Sequence, residues 1–256
     1  MSLADISVVI IVRDGEETLA NTLQSVVDFG EVLVFDNGST DKTIEIANSF
    51  DNVNLKYGDF LGFGKTKSLA TSLAKYNWVL SLDADEAVTA ELHDSIDALE
   101  LDDSNIAYQI KRHNYMFGKH VKRAGWGNQW LLRLFDRRHH GFNDASVHEK
   151  VCLAPGGRSR RLNGPMDHDA VRGIDKFLVS INRYSEFVRH SGRKPVPQVV
   201  VVLKALFSFF RSYVLQLGLL EGWRGLVIAV SEANGTFYKL MMLLADKKVA
   251  REQARK

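Results

Sequence analysis

Along the first hundred residues, apolar and polar positions come in blocks whose lengths suit strands and helices in turn. Ile6 to Val12 is an unbroken apolar run rich in β-branched residues, as expected of a strand buried on both faces. Asp14-Gly-Glu-Glu17 then turns the chain and opens a helix with Leu19, Leu23 and Val26 at i, i+4 and i+7. Glu31 to Phe35 predicts a second strand. Asp36-Asn-Gly-Ser-Thr-Asp41 follows at once and leads into a helix through Ile44 and Ala47, capped by Thr40 or Ser39. Val53 to Tyr57 reads as a third strand, Lys65 to Lys75 as a helix with Leu69 and Leu73 inward, and Trp78 to Leu82 as a fourth strand. This alternation, with short connections, predicts an α/β fold with a mostly parallel sheet covered by helices.

Further on, Thr89 caps a helix carrying Leu92, Ile96 and Leu99, and Ile106 to Ile110 reads as another strand. An aromatic and basic region follows, through Lys111-Arg-His-Asn-Tyr115, Gly125-Trp126, Trp130-Leu-Leu-Arg-Leu-Phe135 and Val147-His-Glu149. After Pro195-Val-Pro197 the composition shifts. Lys204, Ser208, Arg211, Ser212 and Gln216 form one polar stripe of an otherwise apolar helix, and Trp223 to Leu244 predicts a second. Charges interrupt the apolar run, so a spanning helix is not expected. The pair is either packed on the domain or a surface anchor in anionic lipid, and the second reading is preferred. The expected organisation is residues 1–110 as one half of a domain, 111–194 as its other half, and 195–256 as a helical, membrane-associating extension.

Composition adds an asymmetry. In a chain of 256 residues with 45% hydrophobic content and a net charge of only +2, residues 1–110 hold 20 acids and 6 bases, and residues 111–256 hold 11 acids and 27 bases. A basic half suits an anionic partner: membrane lipid, nucleic acid or a phosphorylated acceptor. No recognised nucleic-acid-binding motif accompanies it, so no nucleic acid is expected. The single cysteine, Cys152, excludes an intramolecular disulfide and a thiolate zinc cluster, and is expected to be a packed apolar residue. The N-terminus lacks the basic and apolar segments of a secretory signal.

Candidate chemistry gathers where strands end in carboxylates. Asp36 follows the second strand and Asp83-Ala-Asp-Glu86 the fourth, at the sheet edge where open α/β folds bind ligands. Asp83 and Asp85 can share one hard cation and leave positions open for substrate phosphates; a helix-capping acidic loop is the plainer alternative. Beside Asp36, Gly38 and Ser39 let backbone approach a nucleotide's base and ribose, although an Asx-turn alone explains an Asp there. A dinucleotide fingerprint is absent after the first strand. Gly62-Phe-Gly-Lys-Thr66 looks like the end of a P-loop, but the earlier glycine it needs is Asp59. A phosphotransferase using Gly64-Lys65-Thr66 stays open as an alternative. Lys65 and Lys67 could touch a diphosphate in either case.

Ile10-Ile-Val-Arg-Asp14, Phe35-Asp-Asn-Gly-Ser-Thr-Asp41, Gly62-Phe-Gly64 and Leu82-Asp-Ala-Asp-Glu86 resemble the nucleotide-sugar half of family 2 inverting glycosyltransferases, with the Rossmann-like GT-A fold. More narrowly, the chain is similar to lipopolysaccharide inner-core β-glucosyltransferases of the WaaE type. The resemblance implies that Asp36 contacts uracil and ribose, with Asp14, Gly38, Ser39, Lys65 and Lys67 around the donor. It implies that Asp83 and Asp85 bind ribose and a divalent metal, Mg²⁺ or Mn²⁺, on the diphosphate of a UDP-sugar. Val12 to Gly15 stand where the family often has Thr-Lys-Asn-Glu, and Thr66 to Ser68 where it often has Gln-Arg-Asn. Residues beyond 110 resemble the acceptor half.

Inverting transfer needs a base for the attacking hydroxyl. Glu149 is the first choice, Asp144 the second, and His148 lies beside them. His148 or His168 could complete the metal shell. A zinc site from His139, His140, His148 and His168 is less favoured. Tyr115, Trp126 and Trp130 either stack on sugar rings or fill core. Arg158, Arg160 and Arg161 are expected in a loop and, with Arg172, Arg183 and Arg189, suit capture of phosphate or carboxylate; Asn182 to Ser185 also match the family. The implied acceptor is a lipopolysaccharide core glycolipid, the implied location the cytoplasmic face of the inner membrane. A non-catalytic, membrane-bound interaction module remains the third reading.

Overall fold

β1 (Ile6–Val12) pairs in parallel on both sides, with β2 (Glu31–Asp36) and with β4 (Trp78–Asp83). Almost every side chain of these three strands is buried, which explains their unbroken apolar runs. β3 (Val53–Tyr57) adds to β2 in parallel and leaves the half-exposed edge. Beyond β4 the sheet is mixed. It runs through β8 (Gln129–Asp136), β6 (Ile106–Met116), β11 (Arg158–Val171) and β5 (Glu86–Val88), in the order β3-β2-β1-β4-β8-β6-β11-β5. β8 runs antiparallel to both β4 and β6, and β11 runs antiparallel to β5. A short β7 (Lys119–His120) pairs with β6, and β9 (Gly141–Phe142) forms a separate ribbon with β10 (Val151–Cys152). The computed structural model describes residues 3–127, 129–145, 149–175, 177–179 and 194–254.

Four helices connect the sheet strands: α1 (Leu19–Gln24), α2 (Thr43–Asn48), α3 (Phe63–Ser72) and α4 (Ala90–Asp97). α4 is capped as expected, the Thr89 hydroxyl accepting from the Leu92 amide at 3.3 Å. Three local expectations are corrected. Leu69 and Leu73 face outward, and α3 packs instead through Gly64, Lys67, Ala70 and Thr71, so its inner face is small and partly charged. Neither Ser39 nor Thr40 caps α2. Asp41 takes the Thr43 amide at 3.0 Å, while Ser39 and Thr40 are engaged by Asp14. Arg158, Arg160 and Arg161 lie in β11 rather than in a loop, their charges on the exposed stretch of that strand.

Two compact units divide the chain. The first comprises Met1–His113 and Asn128–Ala170, the second Asn114–Gly127 and Val171–Lys256. The second is built on α5 (Gln198–Phe210), a π-helical turn over Arg211–Leu215, a 3-10 turn over Gly218–Glu221, and the long α6 (Trp223–Gln253). The window Gln198–Leu215 has 18 residues and a mean hydropathy of 1.5, long and apolar enough by length and composition to cross a membrane. That differs from the expectation above, because Lys204 and Arg211 are only two cations in an otherwise apolar stretch. Cys152 is exposed rather than packed, since β10 is only a two-residue strand at the surface.

Candidate active site

The parallel register sets the carboxylates at the strand ends. Asp36 lies opposite Val12 and Asp83 opposite Ile11, so both end their strands beside the last residues of β1. The loops that follow are stitched together. Asp36 is buried, and its carboxylate accepts from the amides of Gly38 at 2.9 Å and Ser39 at 3.1 Å. Asp14 accepts from the Thr40 amide at 2.8 Å, and its own amide donates to the Ser39 hydroxyl at 2.9 Å. Gly38 holds φ at +89° with open space where a side chain would begin. A flat ligand group can therefore approach this backbone, and a Cβ-bearing residue would adopt that φ only with strain.

Asp83 is the centre of a charge network that spans the first unit. One carboxylate oxygen accepts from Lys67 Nζ at 2.6 Å, the other from Arg133 Nη2 at 2.8 Å. Arg133 also donates to fully buried Glu86 at 2.7 Å, and Arg112 approaches the same Glu86 oxygen at 3.3 Å. The second Glu86 oxygen accepts the Asp83 amide at 3.0 Å, which fixes the turn out of β4. Burial alone would raise the Asp83 pKa. Arg133 and Lys67 outweigh it and hold this carboxyl well below the usual range. Burial would likewise lower Lys67, but Asp83 and Glu149 carry its pKa above the ordinary lysine value.

Lys67 is also the link to the other half of the site. Its ammonium donates to Glu149 at 2.7 Å, so this carboxylate stands beside Asp83 although far from it in sequence. The loop before Glu149 is held against α3 by backbone: the Gly64 amide donates to Ala145 O at 2.9 Å. Asp144, on that loop, is exposed. His148 lies outside the described residues, as do Arg183, Arg189 and Asn182 to Ser185.

Antiparallel pairing of β5 with β11 sets His168 opposite Glu86 and hence next to Asp85, with 3.4 Å between His168 Nε2 and an Asp85 carboxylate oxygen. The Asp169 amide donates to Asp85 O at 3.0 Å and fixes the backbone there. Burial would lower the His168 pKa, but the hydrogen bond and charge of Asp85, with Glu86 behind, raise it above the ordinary imidazole value. Asp85 and His168 offer one carboxylate and one imidazole with the remaining positions open, a donor set that fits Mn²⁺ or Mg²⁺ shared with a diphosphate. Asp83 directs one oxygen at Lys67 and the other at Arg133. Among the described residues no three His, Cys, Asp or Glu side chains converge on one metal position, and His139 and His140 do not join His168.

The P-loop alternative loses its cradle. The Gly64 amide is spent on Ala145 O, and the buried Thr66 hydroxyl accepts from the Leu61 amide at 2.9 Å. Lys65 is exposed. The aromatic candidates have partners within their own units: Trp130 lies under Arg161 at 4.6 Å, Tyr115 stacks on His120, and Trp126 meets Phe177 edge-on. Sequence reasoning missed Arg133, Arg112 and the burial of Glu86. The available signal was an arginine inside the apolar strand Trp130 to Phe135, which demands a buried carboxylate partner.

The chain belongs to glycosyl transferase family 2, whose model matches residues 7–157, more than half of its length. With this sheet and these carboxylates, its architecture is the α/β, GT-A-like fold. It is 27% identical over 254 residues to an uncharacterized glycosyltransferase, RT0209, of Rickettsia typhi, covering 93% of this chain and 86% of that protein. It is 24% identical to the lipopolysaccharide core biosynthesis glycosyltransferase LpsC of Rhizobium meliloti, covering 88% of each. Among solved structures it is similar to S. aureus TarS 1–349 in complex with UDP, with 14% identity, a TM-score of 0.48, and coverage of 95% of this chain and 91% of that one.

Proposed function

We propose that this glycosyltransferase moves a hexose, glucose by preference, from a UDP-sugar to a lipopolysaccharide inner-core or related glycan, with inversion, at the cytoplasmic face of the inner membrane. The observation that carries this reading is the bridge by Lys67, which brings Glu149 to Asp83. A donor-side carboxylate and an acceptor-side carboxylate then flank one reaction centre. Similarity to LpsC supports the choice of a lipopolysaccharide core acceptor.

In this mechanism Asp36, Gly38 and Ser39 receive the uridine, with Asp14 bracing their loop. Asp85 and His168 would hold a divalent cation, which when bound supplies positive charge to the departing diphosphate. Glu149, oriented by Lys67, takes the proton from the acceptor hydroxyl. That oxygen bonds to the anomeric carbon from the face opposite the leaving group, the bond from carbon to the diphosphate oxygen breaks, and its electron pair leaves with UDP. A β-linkage follows from an α-linked donor. Arg133 and Glu86 keep Asp83 in position throughout.

One calorimetric experiment tests the reading: titration with UDP and with ATP, each with and without Mn²⁺. UDP binding that needs Mn²⁺ and disappears in Asp85→Ala supports it, whereas ATP binding unaffected in that variant points to phosphotransfer. Glu149→Gln should bind UDP and fail to transfer; transfer that survives there and is lost in Asp144→Asn moves the base to Asp144.

A further inference from the structure

The helical pair of the second unit buries mostly small residues and leaves many large apolar ones exposed. Ser208, Ser212, Gly225, Ala229 and Ser231 are buried beside Val201, Ile228 and Leu243, and the Thr236 hydroxyl donates to the Ser208 hydroxyl at 3.3 Å between α5 and α6. Gly225 allows the connecting turn so close that a Cβ there would fall 1.8 Å from Gly218 O. Large apolar side chains point the other way: Leu206, Phe207, Phe210, Leu219, Leu220 and Trp223 are all exposed. In water-soluble helical pairs the pattern is the reverse. An interior rich in small residues beneath a strongly apolar exterior is how helices pack when their surroundings are lipid.

Charge selects the occupant. The second unit carries 18 bases against 6 acids, a balance of +12, so a second copy of the chain would be repelled and an anionic surface attracted. Trp223 stands at the connector with the Arg224 guanidinium 4.5 Å from its ring centre, an aromatic and a cation side by side as at a membrane–water interface. Lys204 and Arg211 within the apolar window favour lying in the interface over crossing it.

We infer that the outward face of α5 and α6 docks into an anionic bilayer leaflet, with Leu219, Leu220 and Trp223 entering the acyl region and the cations of the unit meeting lipid phosphates. This deepens the membrane-acceptor reading above, because it fixes which surface of the chain meets the membrane.

The test is flotation of the full chain with phosphatidylcholine vesicles, with and without phosphatidylglycerol, at low and high salt. A second arm follows tryptophan fluorescence against vesicles with brominated acyl chains. Binding is expected only with phosphatidylglycerol, falling about tenfold at high salt and about tenfold in Leu219→Asp. Brominated chains should quench the wild type, and Trp223→Phe, a conservative change, should lose that quenching while still floating. A chain that stays unbound, binds neutral vesicles regardless of salt, resists release by alkaline carbonate, or dimerises through the same leucines in light scattering overturns the inference. UDP titration of the same preparation separates the two readings. Vesicle binding without UDP affinity sinks the donor reading alone, and UDP affinity without vesicle binding sinks this one alone.

Discussion

Lys67 and Glu149, 82 positions apart, are joined by a hydrogen bond of 2.7 Å, and the same buried ammonium holds Asp83 at 2.6 Å. Removing the ammonium leaves two carboxylates facing each other in a partly buried site. Lys67→Met should therefore lower unfolding free energy by about 3 kcal/mol, read by urea denaturation. It should also reduce sugar transfer by more than about tenfold.

The depressed pKa of Asp83 sets an acid limit. A carboxyl that titrates lower when folded contributes stability above its unfolded pKa of about 3.9 and loses it as pH falls through the folded value. Lys67, raised in the fold, contributes stability below its unfolded value of about 10.4 and loses it as pH rises through the folded one. Urea midpoints should hold steady between these limits. In Asp83→Asn the decline on the acid side should be shallower than in the wild type.

Gly64 permits a backbone contact that no other residue allows. A Cβ there would lie 2.0 Å from Asn143 O and 2.7 Å from Ala145 O, both main-chain atoms. Gly64→Ala should push the loop before Glu149 away from α3. Transfer should then fall far more than UDP affinity, a contrast that kinetics and calorimetry on the same preparation would reveal.

At Asp36 the two amides of Gly38 and Ser39 depend on one carboxylate. Asp36→Asn keeps an acceptor oxygen, whereas Asp36→Ala leaves both amides without it. The alanine variant should be less stable than the asparagine variant by about 1 kcal/mol in urea, and should bind UDP more weakly.

The parallel half of the sheet was legible because strands buried on both faces announce themselves as apolar runs, and each ends in a polar loop. That fixed the edge on which Asp36, Asp83 and Asp85 stand. The period of α3 gave no such guidance: Leu69 and Leu73 look like a core stripe, yet the sheet takes the face with Ala70 and Lys67. Arg133 and Glu86 were hidden for another reason. Their pairing depends on β8 lying beside β4, an insertion that local pattern does not encode. The charged residues of β11 read as a loop because a half-exposed strand tolerates arginine. In the helical pair the helical period set Ser208 and Ser212 on one stripe and Phe207 and Phe210 on the other, but the period alone does not say which stripe turns inward; the structure buries the two serines.

The position of β8 also bears on how the chain comes off the ribosome. β8 sits between β4 and β6 yet follows both in sequence. A nascent chain that has emerged only as far as β6 lacks β8, and with it the Arg133 that donates to Asp83 and Glu86. Only when residues 129–149 arrive does the ion network lock. β11 and its His168 follow later still, so the network of Lys67, Asp83 and Arg133 can close before the contact between Asp85 and His168 forms.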